Sequence, residues 1–145
     1  IMSLKDGTKK MSKSELSDLS RINLTDNKDA IVNKIKKAKT DPLPLPSRVE
    51  ELNERPEAKN LLGIFSSLTN STLDKSVKDF EGKNFSEFKE SLTQVLVEKI
   101  QPISSEIKKL INDEDFLDKI LLDGHKKANN IASIKVKKMQ EIIGF

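Results

Sequence analysis

The stretch Gly7-Thr8-Lys9-Lys10-Met11-Ser12-Lys13-Ser14 sets three ammonium groups, at Lys9, Lys10 and Lys13, among the hydroxyls of Thr8, Ser12 and Ser14. It follows the apolar run Ile1-Met2-Ser3-Leu4, which reads as the end of a strand. A strand that gives way to a flexible, cationic, hydroxyl-rich loop suits a polyphosphate. Ammonium groups neutralise phosphate oxygens as point charges, and hydroxyls and loop N–H groups add hydrogen bonds. Gly7 permits backbone shapes that other residues resist. The competing reading is a solvated basic loop, the usual place for surface lysines.

Outward from this stretch, composition narrows the classes. At 145 residues the chain holds one domain, or one domain and part of another, and can bury a real core. Charged residues make up 34% and aromatics 4%, with neither Trp nor Tyr, and the apolar content is mostly Ile, Leu and Val, enough for a folded helical core. With no Cys, disulfides and thiolate metal sites are excluded, and the single His125 cannot build a histidine metal site or a paired-histidine mechanism. No run approaches a membrane span and no signal-peptide pattern occurs. A soluble cytoplasmic protein is expected, with an organelle left open. The net charge of +3 is uneven. Residues 1–40 are basic and close on Lys34, Lys36, Lys37 and Lys39. The segment around Glu50, Glu51, Glu54 and Glu57 is slightly acidic. The C-terminal stretch is basic again through Lys126, Lys127, Lys135, Lys137 and Lys138. Basic ends fit phosphate contact or plain solubility. Opening at Ile1 in mid-strand, the chain reads as part of a longer one.

Further along, Glu15 to Ser20 is turn-like and Arg21 to Leu24 briefly extended. Thr25 or Asp26 can cap a helix from Lys28 to Lys39, on which Ile31, Ile35 and Ala38 recur at helical spacing. The lysines ending that helix suit its macrodipole. Asp41-Pro42-Leu43-Pro44-Leu45-Pro46 cannot be helical. It favours a polyproline-like connector continuing to Arg55, or a peptide ligand for a partner's groove. Pro56 suits a first helical turn, with Leu61, Leu62, Ile64, Phe65 and Leu68 facing inward. Ser71 or Thr72 starts the next helix, which Gly82 ends. The longest element runs from Phe85 to Leu110, and Pro102 should kink or split it. Asp113 caps a short helix closed by Gly124. A last helix runs from His125 to Ile143, and Gly144 ends it. The apolar stripes of all these helices are expected to form the core.

Lys10-Met11-Ser12-Lys13-Ser14 reads KMSKS, which resembles the second signature of class I aminoacyl-tRNA synthetases. The flanks sharpen the resemblance. IMSLKDGTKKMSKS is similar to the tryptophanyl-tRNA synthetase version, whose lead-in strand the tyrosyl relatives do not share. Asn60-Leu61-Leu62-Gly63-Ile64-Phe65, Phe80-Glu81-Gly82-Lys83 with Phe88-Lys89, and Lys126-Lys127-Ala128-Asn129 with Ile131-Ala132 resemble further segments of that family, of bacterial or organellar type. Glu15-Leu16 stands where the family often has Asp-Pro, and Asn70 where Gly is common. The family's HIGH signature and tryptophan pocket are missing.

The resemblance implies a mainly α chain: the tail of a class I Rossmann-like catalytic domain with the KMSKS loop, then a C-terminal helical bundle of anticodon-binding type. Its divisions are 1–40 as the catalytic tail, 41–55 as the Pro-rich connector and 56–145 as the anticodon-binding part. It implies a ligase that activates L-tryptophan with ATP, accompanied by Mg2+, and transfers it to tRNA(Trp), with no metal site inside this chain and no membrane. The piece alone is expected to be inactive. Lys10 and Lys13 would stabilise the leaving phosphates, with Lys9 weaker. Met11, Ser12 and Ser14 would help hold ATP, and the Ile1–Met2 backbone would lie beside adenine. Lys126, Lys127, Lys135, Lys137 and Lys138 are guesses for tRNA phosphate contacts. The whole enzyme would be a homodimer, and a monomer is left open for this piece. A tyrosyl-type synthetase and a non-enzymatic helical interaction module are the competing readings.

Overall fold

The apolar run at the start is too short to sustain a strand by itself, and the chain folds back to pair it. A computed structural model describes residues 1–144. In it β1 (Met2–Ser3) and β2 (Asp6–Lys10) form an antiparallel hairpin, with Met2 opposite Lys10 and Ser3 opposite Asp6. An irregularity between Met2 and Ser3 breaks the register. Gly7 to Lys10, expected to be loop, are therefore strand. The loop begins at Met11.

Four helices follow that sequence spacing anticipates closely. α1 (Lys28–Lys37) is capped by Asn27, not Thr25 or Asp26; its side chain accepts the Ala30 N–H at 2.9 Å. α2 (Pro56–Thr69) starts on Pro56 and ends at Asn70. α3 (Leu73–Asp79) is capped by Thr72. α4 (Phe85–Ile111) runs unbroken through Pro102, so of the expected kink or split, the split does not occur. The expected short helix to Gly124 and the last helix from His125 are one element, α5 (Glu114–Ile143). Gly124 lies inside it, since one glycine lowers helix propensity by only about 1 kcal/mol. No helix among the described residues is long and apolar enough to cross a membrane.

The chain divides into two compact units, Ile1–Ser105 and Glu106–Phe145. The core belongs to the first. Leu4 of the hairpin turn, Ile31 and Ile35 of α1, Leu61 and Leu62 of α2, and Phe88 and Leu92 of α4 meet there, nearly all excluded from water. Phe80 packs edge-on against Phe65 and Phe88, with ring centroids 5.0 Å and 4.8 Å away. The proline stretch is part of this unit. Leu45 is buried, donates its N–H to the Lys83 carbonyl and accepts the Gly82 N–H, at 2.9 Å and 3.0 Å. The extended run expected as far as Arg55 instead turns into a short 3-10 helix at Val49–Glu54. Arg55 forks onto Asp41 at 2.6 Å and 3.0 Å and donates to the carbonyls of Leu43 and Pro44.

In the second unit Asp113 caps α5 by accepting the Phe116 N–H at 3.1 Å, and Gly144 ends it in the left-handed region. The apolar residues of α5 do not form a core, contrary to expectation. Phe116, Ile120, Ile131, Ile134, Met139 and Ile142 are all exposed.

Candidate functional site: a braced cationic turn

The hairpin delivers the lysines. Lys10 is the last residue of β2, and the Met11 N–H reaches the Ile1 carbonyl at 3.4 Å, so the pairing ends where the turn begins. Beyond it the backbone is held by its own hydroxyls. Ser12 Oγ lies 2.9 Å from Ser14 Oγ and accepts the Ser14 N–H at 3.3 Å. The Glu15 N–H donates to the Ser12 carbonyl at 3.4 Å, and Arg21 Nη1 donates to the Glu15 carbonyl at 3.0 Å.

The three lysines differ in their surroundings. Lys9 Nζ sits 3.3 Å from Asp6 Oδ2. The Asp6 carboxyl also accepts the Thr8 hydroxyl at 2.6 Å and the Thr8 N–H at 3.1 Å. The Thr8 bonds, with help from Lys9, lower its pKa to about 2. Lys10 and Lys13 are exposed, and among the described residues no carboxylate lies within ion-pair distance of either. One uncompensated cation thus ends β2 and a second stands on the hydroxyl-rich turn beyond it, an arrangement that attracts anions.

Of the cavities that border β1, two also reach the turn after β2. A polar one of about 270 Å³ is lined by Ser3, Lys5, Asp6, Lys9, Lys10, Ser12, Glu15 and Ser20. An apolar one of about 210 Å³ is lined by Ile1, Met2, Met11, Ile22, Ile64 and Leu68, among others. The structure thus brings Lys10 and Ser12 to one side and Ile1 and Met11 to the other. Lys13 and Ser14 line neither.

What fixes the hairpin lies far from it in sequence. Asn60 of α2, 9% exposed, accepts the Met2 N–H at 3.0 Å and donates to the Met2 and Ser3 carbonyls at 3.1 Å and 3.4 Å. The Leu4 N–H donates to the Ser20 carbonyl at 2.9 Å, and the Leu4 carbonyl accepts the Lys39 N–H at 2.8 Å. Lys39 pairs with Glu57 at 2.9 Å, and this contact holds the Glu57 carboxyl below its usual range. Sequence reasoning assigned Asn60 no such part. The signal available was a carboxamide beside the apolar pair Leu61 and Leu62.

In sequence Lys34 groups with Lys36, Lys37 and Lys39 in the basic run around the end of α1. The structure buries it. Its Nζ lies 2.6 Å from both Asp18 Oδ2 and Asp26 Oδ2, and Asp18 is held below the usual carboxylate range chiefly by that contact. Lys126, Lys127, Lys135, Lys137 and Lys138 all lie exposed on α5, and Lys127 pairs with Asp123 at 3.2 Å. Lys126 and Lys137 are about three turns apart and share a face, as do Lys127 and Lys138. Among the described residues no group of three or more His, Cys, Asp or Glu could hold a metal ion.

Comparison with known proteins adds an independent finding. A family model described as "tRNA synthetases class I (W and Y)" matches residues 1–119. Proteins named tryptophan–tRNA ligase are similar over all 145 residues: 50% identical in Agrobacterium fabrum, 49% in Mesorhizobium japonicum and 48% in Rickettsia felis. The chain spans 41% of the first two and 43% of the third. The crystal structure of tryptophanyl-tRNA synthetase from Mycoplasma pneumoniae matches with a TM-score of 0.70 at 26% identity, covering all of this chain and 45% of that one.

Proposed function

From the premise that this chain belongs to the class I tRNA synthetases (W and Y), we propose that it is part of a tryptophan–tRNA ligase and supplies that enzyme's ATP phosphate loop and tRNA anticodon-side surface. One observation carries this: identity of 46–50% to tryptophan–tRNA ligases extends over the whole chain, through turn and helices alike. The setting of Lys10 and Lys13 supports it.

In the proposed reaction the tryptophan carboxylate attacks the ATP α-phosphate, pyrophosphate leaves, and the adenylate then esterifies the tRNA. Negative charge grows on the leaving phosphates. Lys10 and Lys13, with no carboxylate to neutralise them, are placed to answer it electrostatically. Lys9, already engaged by Asp6, contributes less. Ser12 and Ser14 hold the turn in shape and offer hydroxyls once ATP arrives. The Ile1–Met2 backbone and Met11 lie toward adenine. Mg2+ enters with ATP as part of the substrate. The residues from Pro56 onward act as the anticodon-binding part, with Lys126, Lys127, Lys135, Lys137 and Lys138 contacting tRNA phosphates. The whole protein works as a homodimer in the bacterial cytoplasm.

The deciding measurement is amino-acid-dependent ATP–pyrophosphate exchange by the complete parent enzyme, with tryptophan and tyrosine side by side. Exchange with tryptophan alone is expected. Exchange with tyrosine would keep the chemistry and overturn the specificity. No exchange with either would favour a helical binding module. Lys13→Ala is expected to lower exchange by about a hundredfold while tryptophan affinity stays within about twofold. tRNA binding should weaken steeply between low and moderate salt, and neutralising the five α5 lysines should flatten that slope. A slope unchanged by their removal would take them out of the interface.

A further inference from the structure

We infer that Asn60 is a positioning residue: from inside α2 its carboxamide grips the main chain of Met2 and so sets where Lys10 and Lys13 leave the hairpin. The inference rests on the ATP-loop reading above and deepens it.

The hairpin alone is a weak platform. β1 is two residues long and its register against β2 is irregular. Two-stranded hairpins of ordinary length are marginal in water. Asn60 acts as the missing neighbour strand. It satisfies both the N–H and the carbonyl of Met2 from one side chain, and reaches the Ser3 carbonyl as well. Only one orientation of the amide fits, with oxygen facing the N–H and nitrogen facing the two carbonyls.

Met2 stands opposite Lys10 in the ladder, and the Met11 N–H closes onto Ile1 next to it. The path from Asn60 to the first functional lysine therefore runs through one residue, Met2, which faces Lys10 across the ladder beside the Met11–Ile1 hydrogen bond. An apolar residue at position 60 would suit the company of Leu61 and Leu62, and burying a carboxamide has a desolvation cost. The return on that cost is orientation. Directional bonds hold the strand at one height on α2, which apolar contact would not.

The test is a double-mutant cycle in the complete parent enzyme, read by tryptophan-dependent ATP–pyrophosphate exchange per active site. Asn60→Ala is expected to lower kcat by about tenfold or more, with the KM for tryptophan changed by less than about twofold. In a background lacking both lysines, Lys10→Ala with Lys13→Ala, the same substitution is expected to cost less than about twofold, because the groups it positions are gone. An equal factor in both backgrounds, or an unchanged kcat per active site, overturns the inference. A Lys13→Ala enzyme with undiminished exchange overturns the ATP-loop reading and this inference with it, so the two failures are distinct. If Asn60→Ala gives no folded enzyme, Asn60→Asp carries the same cycle with the same criteria. It keeps the shape and the acceptor for the Met2 N–H but loses both donations.

Discussion

At the scale of single residues, the site depends on what is absent as much as on what is present. Gly7 reads in the sequence as a source of backbone freedom, yet it is not among the residues with positive φ. Its need is for room. A Cβ there would lie 2.6 Å from the Pro56 carbonyl carbon and from the Glu57 nitrogen, and 2.7 Å from the Pro56 oxygen. These are main-chain atoms at the start of α2 and cannot step aside cheaply. Gly7→Ala should therefore destabilise the fold by about 1–3 kcal/mol, the usual cost of overpacking. The midpoint of urea unfolding reports it, and a change within about 0.5 kcal/mol would mean that the hairpin does not seat on α2 as described. Lys34 shows the opposite limit of reading by residue type. Four neighbouring lysines look alike in sequence, but only Lys34 points inward, and its partners Asp18 and Asp26 come from the irregular stretch before α1, whose path helical spacing does not reveal.

At the scale of elements, helix positions were legible because apolar spacing and capping residues are local. Pro56 opens α2, Thr72 caps α3 and Asp113 caps α5, all by rules confined to one turn. The breaks were overread. Pro102 and Gly124 are penalties on a helix, not vetoes, and α4 and α5 pass through them. The strand pairing of Asp6–Lys10 is not legible because alternation over five residues, two of them lysine, leaves no apolar signature. The lysine string itself was plain in sequence. The carboxamide that braces it was not, because that contact joins residues 58 apart. Asn70 gives this scale its prediction. It ends α2 with φ 54° and ψ 34°, the left-handed cap position for which glycine is the usual choice. Asn70→Gly should leave stability unchanged or raise it by up to about 1 kcal/mol, whereas Asn70→Ala should lower it by about 1–2 kcal/mol. Thermal unfolding of both variants checks this, and the same sign for both would refute it.

At the scale of the whole molecule, burial is distributed unequally between the two units. Ile1–Ser105 holds the buried apolar cluster and every hydrogen bond that seats the hairpin. Glu106–Phe145 contains α5, of which no residue is buried. Period alone could not have told these cases apart. An apolar stripe at helical spacing states that a face wants cover, and only the fold states whether it has it. Helices draw most of their stability in proteins from a packed face, not from propensity. The consequence for the 145-residue chain in solution is a gradient of amide exchange. Amides of α2 around Leu61 and Leu62 should open only near the global unfolding free energy. Those of α5 around Ile131 and Ile134 should open at about 1–2 kcal/mol, apart from the rest. Native-state hydrogen exchange resolved by residue measures both. Protection in α5 equal to that in α2 would mean that its apolar residues are covered in solution, and would sink the account of α5 as a helix held by its own caps and propensity.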